Sequence, residues 1–242
     1  MRALTATELL RAWERGLSQS PPQRALTLLA LGAEASLDQL ALLSIGQRDV
    51  RLFALREQLF GPMITGAASC PDCGAQVELN FAVAAVCPAS SPAPPESLTV
   101  SCDGYEIQCR LPNSLDLADL TSVEEVAMHK RRLLERCVQR ALRNGESIPG
   151  GEIPDGVADA VSERMAEADP QADVRLALAC PECGHRWQAV LDVVSFLWAE
   201  IHAWAIRLLR DVHVLAATYG WREVDILALT PWRRQAYRDM IG

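Results

Sequence analysis

The sequence is short of positive charge. It contains 23 lysine and arginine residues against 31 aspartate and glutamate residues, which gives a net charge of −8 at pH 7 and a pI of about 5.1. Broad attachment to nucleic acid needs a surplus of basic residues, because binding depends on neutralising phosphate charge. The composition therefore argues against a general nucleic-acid-binding protein and leaves only a local basic patch open.

The chain also lacks a long uninterrupted apolar run. Its N-terminus, MRALTATELLRAWERG, has neither the apolar core nor the small-residue cleavage site of a signal peptide. The most apolar stretch, residues 193–218, is interrupted by groups that are costly to desolvate in a bilayer: Glu200, His202, Arg207, Arg210, Asp211 and His213. We therefore expect a cytoplasmic protein with no membrane span.

Catalytic motifs are missing as well. The sequence has no glycine-rich phosphate loop, no nucleophile elbow and no credible acid/base pair. His129 is isolated on a charged helix face, and His202 and His213 share one side of a helix without a third ligand. We expect the two to be surface or interface residues, and we expect neither enzymatic activity nor a small-molecule substrate.

The length and cysteine content are informative. A chain of 242 residues, half of them hydrophobic, can form one large globular domain or two modest ones. It contains eight cysteines and no secretion signal. Reductants keep cytosolic disulfides open, so these cysteines indicate metal ligands or free thiols.

Two cysteine pairs repeat one another. CPDCG and CPECG share the proline, the acid and the glycine, and each is followed by a strand-like stretch. Each C-x-x-C-G predicts a tight turn in which both sulfurs and nearby N–H groups face one cation. A closed tetrahedral site needs four ligands. The sequence therefore predicts one structural zinc site with four ligands, Cys70, Cys73, Cys180 and Cys183.

Other interpretations of these cysteines are weaker. A redox C-x-x-C is expected once and near a helix N-terminus, whereas both pairs here precede strands. Two disulfides are disfavoured because the expected cytoplasmic location is reducing. A catalytic zinc is disfavoured because it needs an open coordination position, which four thiolates do not leave. His185 is better explained by packing or hydrogen bonding than as a replacement ligand. Iron bound by four thiolates is chemically similar, so zinc versus iron stays open.

The spacing of the pairs predicts the domain organisation. The two pairs are separated by 106 residues, where zinc ribbons usually have ~15–20. The entropic cost of closing a loop rises only logarithmically with its length, so a segment this long between the two pairs is no obstacle to a shared metal site. We predict an α+β, mainly helical protein in which a discontinuous four-cysteine zinc ribbon carries an inserted module with a β-hairpin and helices. The predicted parts are an N-terminal helical region (1–62), the ribbon (63–86 and 177–192), the inserted module (87–176) and C-terminal helices (193–242).

A hairpin is predicted within the inserted module. The stretch LTVSCDGYEIQCRL contains Asp103-Gly104, a dipeptide typical of a type I′ turn. A two-residue turn places Cys102 opposite Tyr105 and sets alternate residues of both strands on one face. Cys102 and Cys109 are then too far apart to form a disulfide.

Helix boundaries follow from capping patterns and periodicity. Capping signals place helix starts at Thr5, Ser20, Ser36 and Ser122. A further helix is expected at 47–60, and the Ser122 helix is expected to run to about Arg143. A long helix is expected at 194–218, and its predicted buried stripe is Leu197, Ile201, Trp204, Leu208, Val212 and Leu215.

The C-terminus concentrates aromatic and basic residues. Such residues are frequent at protein interfaces, although a solvated helix face remains an alternative. The candidate partner-binding residues are Trp221, Arg222, Trp232, Arg233, Arg234, Tyr237 and Arg238.

Three blocks of sequence carry a family resemblance. They are SIGQRDVRLFALREQLFG, CPECGHRW with FLWAEIHAWAIRLLRDVH, and the ending YGWREVDILALTPWRRQAYRDMI. Together they resemble the T4-type phage baseplate hub assembly proteins, similar members of which are encoded beside bacterial contractile injection systems. The resemblance covers roughly residues 36–83 and 98–242. Phage members need not carry the cysteines, so the metal prediction rests on the spacing alone.

The resemblance implies a non-enzymatic assembly chaperone or minor structural component of a contractile phage tail or injection-system baseplate. Its implied partners are baseplate, hub or spike proteins. It leaves open whether the protein stays in the cytoplasm or is incorporated into the finished particle. The alternative is an intracellular zinc-ribbon nucleic-acid-binding regulator, which the acidic composition disfavours.

Overall fold

The computed structural model describes residues 4–33, 35–88, 93–118 and 126–241. The fold is mixed α+β and 55% helical, as the sequence predicts. No helix within these ranges is both long enough and apolar enough to cross a membrane.

Four helices open the chain: α1 (Ala6–Gly16), α2 (Pro21–Gly32), α3 (Leu37–Ala41) and α4 (Ile45–Phe60). The predicted caps at Thr5, Ser20 and Ser36 are present. Helix α4 begins two residues earlier than predicted, because Ser44 accepts a hydrogen bond from the backbone N–H of Gln47 at 3.2 Å. The Gln47 side chain accepts from the Ser44 N–H in return, which completes a capping box.

Each cysteine pair lies at the tip of an antiparallel hairpin. Strands β1 (Met63–Ser69) and β2 (Gln76–Ala82) enclose the first pair. Helix α5 (Val83–Val86) follows directly. The sequence pattern predicts β2 but not β1, because MITGAAS is rich in small residues and has no clear alternation.

The second region contains a four-stranded antiparallel sheet in the order β3-β4-β5-β6. Its strands are β3 (Leu98–Cys102), β4 (Tyr105–Cys109), β5 (Val138–Arg143) and β6 (Glu146–Ser147). The predicted hairpin register is confirmed, with Cys102 opposite Tyr105 and Leu98 opposite Cys109. Helices α6 (Ser114–Ala118), α7 (Val126–Cys137) and α8 (Asp155–Ala168) complete this region, which lies between the two cysteine hairpins along the chain.

The predicted end of the α7 helix at Arg143 is wrong. The helix ends at Cys137, and residues 138–143 form β5, which pairs with β4 and buries Ala141. The gain from completing the sheet outweighs the local helix preference of this segment. Asn144 and Gly145 then turn the chain at positive φ. The predicted cap at Ser122 lies outside the described residues.

The second cysteine hairpin consists of β7 (Arg175–Ala179) and β8 (Arg186–Val190). Asp192 then caps the long helix α9 (Val193–Tyr219) by accepting hydrogen bonds from the N–H groups of Val194 and Ser195. Gly220 ends α9 in the left-handed conformation, and α10 (Glu223–Leu227) and α11 (Pro231–Asp239) follow. The predicted buried stripe of α9 is correct except at Trp204, which is half-buried while Ala205 is fully buried.

The buried residues form three separate hydrophobic clusters. The first joins the N-terminal helices to the first half of α9. The second lies inside residues 98–165, and the third joins the end of α9 to α10 and α11. The first and second clusters share no residue, whereas the half-buried Leu227 packs against both the first and the third. The domain boundaries themselves stay a prediction.

A buried polar contact joins the first two regions. The carboxylate of Asp169, just after α8, accepts a hydrogen bond from the N–H of Gly46 at 2.8 Å. The partial positive charge at the N-terminus of α4 favours a carboxylate there. A Cβ atom at position 46 would lie 2.0 Å from Asp169 Oδ1, so only glycine fits this approach. The Ile45 N–H also donates to the carbonyl of Pro112 at 3.0 Å.

Candidate metal centre

The two cysteine turns have the same backbone geometry. In the first, the Cys70 N–H donates to the Ala75 carbonyl at 2.8 Å, and the Gly74 N–H donates to the Cys70 carbonyl at 2.9 Å. The turn at residues 180–185 repeats both bonds, at 2.8 and 3.0 Å. Gly74 and Gly184 both have φ of +75°, which explains why each pair is followed by glycine.

The four sulfurs of Cys70, Cys73, Cys180 and Cys183 all lie within 4.8 Å of one another. The sulfurs of Cys70 and Cys183 are 3.7 Å apart, and those of Cys73 and Cys180 are 3.6 Å apart. A tetrahedron with Zn–S bonds of about 2.3 Å has S–S edges of ~3.8 Å, whereas a disulfide bond is ~2.05 Å long. The four thiols are therefore positioned to hold one metal ion.

Burial alternates in the same way in both pairs. Cys70 and Cys180, the first members, are buried, whereas Cys73 and Cys183 are exposed. The cluster therefore has an inner side supported by the hairpins and an outer side open to solvent.

The thiols influence one another's acidity. The backbone N–H of Cys73 stabilises the Cys70 thiolate and, with smaller contributions from Asp72 and Cys183, lowers the pKa of Cys70 to about 7. At Cys183, a hydrogen bond from the His185 backbone N–H stabilises the thiolate and lowers the pKa. Desolvation and the neighbouring sulfurs outweigh this effect and raise the pKa of Cys183 to about 12. The first thiolate thus forms easily and the later ones are opposed by nearby negative charge, a conflict that a bound dication removes.

The remaining cysteines do not belong to this group. Among the eight, none forms a disulfide, including the predicted non-bridging Cys102 and Cys109. Burial raises the pKa of Cys87 and Cys109, and it raises the pKa of Cys137 to about 12. Thiols with raised pKa values are poor nucleophiles, so these residues behave as small packing groups.

The histidines lie outside the cysteine group. His185 stacks on Trp187 with 6.0 Å between ring centroids, and its carbonyl accepts the Cys180 N–H. His202 is exposed, but its Nδ1 accepts a hydrogen bond from Trp13 Nε1 at 3.1 Å, which joins α9 to α1. His213 is exposed.

The cysteine hairpins form two separate two-stranded sheets that do not pair with each other. Their half-buried faces and Phe196 of α9 line a cavity of about 290 Å³. Leu176 and Leu178 of β7 alternate with exposed alanines, a signal in RLALA that would have allowed β7 to be predicted. The two hairpins come together at their tips, where the four cysteines lie.

Some of the C-terminal candidates face solvent. The side chain of Trp232 is 79% exposed, on the first turn of α11. Arg233 is also exposed, and its side chain makes no ion pair or hydrogen bond within the described part of the chain. Arg222 is exposed and forms an ion pair with Asp225 at 2.8 Å.

The others hold the C-terminal helices together. Trp221 and Tyr237 pack edge-to-face with 4.8 Å between ring centroids. Arg234 is buried rather than surface-facing, because its guanidinium turns toward Asp211 of α9. Arg238 forms an ion pair with the same carboxylate. These contacts were not visible in the sequence because they depend on how α11 folds back on α9.

The comparisons with known proteins give one match. No curated protein and no solved structure matches the chain. Residues 25–198 match the family described as T4 bacteriophage base plate protein. The matched segment runs from α2 to the start of α9 and includes both cysteine pairs; the YGW ending that contributed to the resemblance lies beyond it. Because the match covers well over half of the sequence, the chain belongs to the T4 bacteriophage base plate protein family.

Proposed function

We propose that the protein is a non-enzymatic assembly factor or minor structural component of the baseplate of a contractile tail or contractile injection system. The family match over residues 25–198 carries this proposal. It supports a baseplate role and gives no support to the alternative of a nucleic-acid-binding regulator. The protein would act by contacts with other baseplate, hub or spike proteins.

We assign a structural Zn²⁺ ion to Cys70, Cys73, Cys180 and Cys183, which makes the two hairpins one discontinuous zinc ribbon. The sulfur spacings support this assignment, and so does the pairwise repeat of the turn geometry. Four thiolates complete a tetrahedral shell and leave no position for a reactive water, so the role is structural. Iron fits the same ligands, and elemental analysis of the purified protein distinguishes the two metals.

The ribbon's role in assembly follows from its position. It lies between α4 and α9 along the chain, and the segment with the second hydrophobic cluster leaves from one hairpin and returns at the other. Fixing the hairpin tips to each other keeps these elements in one arrangement before any partner binds. A pre-organised surface loses less conformational entropy on association, which suits a factor that must bind several partners in order.

We assign Trp232 and Arg233 as the most direct contact residues among the C-terminal candidates. An exposed tryptophan can supply much of the binding energy of an interface when a partner pocket covers it. The buried and paired residues nearby would keep α11 in place rather than contact a partner.

A deletion experiment tests the baseplate role. Cells that produce the contractile particle but lack this gene should yield few particles with a complete baseplate, as counted by electron microscopy. Expression of the wild-type chain in trans should restore them. Mass spectrometry of purified particles then separates a structural component, which is retained, from a chaperone, which is not. A normal particle yield after deletion would contradict the proposal.

A further inference from the structure

The solvent-facing side of α9 has an unusual distribution of charge. The helix contains two acidic residues, and both are engaged: Glu200 pairs with Arg56 at 2.8 Å, and Asp211 pairs with Arg234 and Arg238. The two arginines of α9 behave differently. Arg207 and Arg210 are exposed, and neither makes an ion pair or side-chain hydrogen bond within the described part of the chain.

This solvent-facing side, called here the basic face, carries only small, apolar and basic residues. Its members are spaced by alternating steps of four and three residues: Ala199, Ala203, Ile206, Arg210, His213 and Ala217, with Arg207 and Val214 beside them. All are exposed or half-buried. Alternating steps of four and three define the seam along which a second helix packs.

The basic face differs from an ordinary solvated helix face. A solvated face usually mixes acidic and basic residues, whereas this one has positive groups only, in a chain whose net charge is −8. The alanines leave the backbone of α9 accessible to close approach. The opposite side of the helix is already filled by the hydrophobic core, with Leu197, Ile201 and Leu208 fully or almost fully buried.

We propose that the basic face binds an amphipathic helix of a baseplate protein, one that places acidic residues opposite Arg207 and Arg210 and apolar side chains over the alanines. This proposal rests on the proposed function, because it takes the partner from the baseplate. Charge complementarity selects the partner's chemistry, since desolvated arginines need carboxylates.

A second copy of this chain does not fit the same surface. Arg207 and Arg210 lie on either side of the middle of this face, so a two-fold antiparallel pairing about that point would bring Arg207 of one copy close to Arg210 of the other. A parallel pairing would place identical arginines together. Both arrangements bring like charges into contact, which opposes association.

The test uses the full chain and the baseplate, hub and spike proteins of the same particle. Each is co-expressed with the wild-type chain, and the dissociation constant of any complex is measured by calorimetry. We expect R207E/R210E to weaken binding by at least about tenfold, because reversed charges would repel the partner's carboxylates. The matched control, R51E/R140E, alters two exposed arginines whose side chains likewise make no ion pair or hydrogen bond within the described residues, and it should change binding by less than about twofold.

A steric pair of variants makes the test independent of charge. A203W places a bulky ring in the centre of the basic face and should abolish binding, whereas A166W makes the same change on an exposed position of α8 and should not. Circular dichroism checks that each variant is folded.

The outcomes separate the two proposals. Binding by the wild-type chain that survives both R207E/R210E and A203W would overturn the inference and leave the baseplate role intact. Self-association of the wild-type chain that these changes abolish would also overturn it, since the occupant would be a second copy. If no baseplate, hub or spike protein binds the wild-type chain, the inference and the proposed function both fail.

Discussion

The cysteine hairpins and the sheet of residues 98–147 are built from similar antiparallel strands, but different interactions stabilise them. The sheet packs under α8, and its strands supply fully buried residues such as Ile107 and Cys109. Between Met63 and Ala82, only Ile64 and Cys70 are buried. Two-stranded hairpins are marginal without a covering layer. The comparison indicates that the sheet region depends on a hydrophobic core, and we expect the hairpin pair to depend on the metal ion that we assign to its four cysteines.

Removing the metal should produce the largest effect, because it should destabilise the cysteine hairpins and leave the sheet region folded. Chelation, or the variant C73S/C183S, should expose the amides of residues 63–82 and 175–190 to hydrogen exchange while residues 98–165 stay protected. Structural zinc contributes on the order of 10 kcal/mol to small zinc domains, so we expect a local loss of several kcal/mol or more. The control C87S/C102S alters two cysteines outside the group and should preserve one metal ion per chain. Equal protection with and without metal would contradict the assignment.

A cavity in the second hydrophobic cluster should instead destabilise the sheet region and leave the cysteine hairpins intact. Ile107 is fully buried, so I107A should lower the free energy of unfolding of residues 98–165 by ~2–5 kcal/mol. Val100, its half-buried partner across the strands, gives a matched control in V100A, which should cost less. Chemical denaturation measures both, and elemental analysis should find the metal content unchanged. Loss of metal in I107A would show that the two regions are not independent.

The contact between Gly46 and Asp169 sets how strongly the sheet region is coupled to the N-terminal helices. G46A should destabilise the protein by ~1–3 kcal/mol, because its methyl group would overlap the Asp169 carboxylate and press on the Ala172 backbone. In G46A/D169A the carboxylate clash is removed, so the combined cost should be smaller than the sum of the single costs. Thermal unfolding of the four proteins gives this coupling directly. Simple additivity would mean that the two residues do not interact.

Acid should affect the two regions at different pH values, with the smallest effect in the sheet region. Metal ligands must be deprotonated, so protons compete with the ion and weaken its binding as pH falls. Asp116 behaves differently: despite its burial, hydrogen bonds from Arg110 and the Asn113 N–H lower its pKa below the usual 3.8. Its contribution to stability is therefore complete above pH 3.8 and is lost as pH falls through the lowered pKa. A pH titration should release metal first; unfolding of residues 98–165 before metal release would contradict this order.

Local patterns made part of this structure predictable. The cysteine turns repeat because the pattern Cys-Pro-acid-Cys-Gly occurs twice, and the Leu98–Cys109 hairpin register follows from its two-residue turn. Features that depend on distant partners were not predictable. Residues 138–143 form a strand only because β4 offers an edge, and Arg234 is buried only because Asp211 is brought beside it. Iron or zinc is not distinguished by spacing, since both accept the same four ligands.

The sulfur contacts between the two hairpins have a mechanical consequence. Cys70 lies beside Cys183, and Cys73 beside Cys180, so with an ion bound the shortest covalent and coordinate route from α4 to α9 runs along the two hairpins. Tension applied to the ends of the chain would follow that route. The segment between Cys73 and Cys180 would form a slack side loop, shielded from the pull until a metal–sulfur bond ruptured.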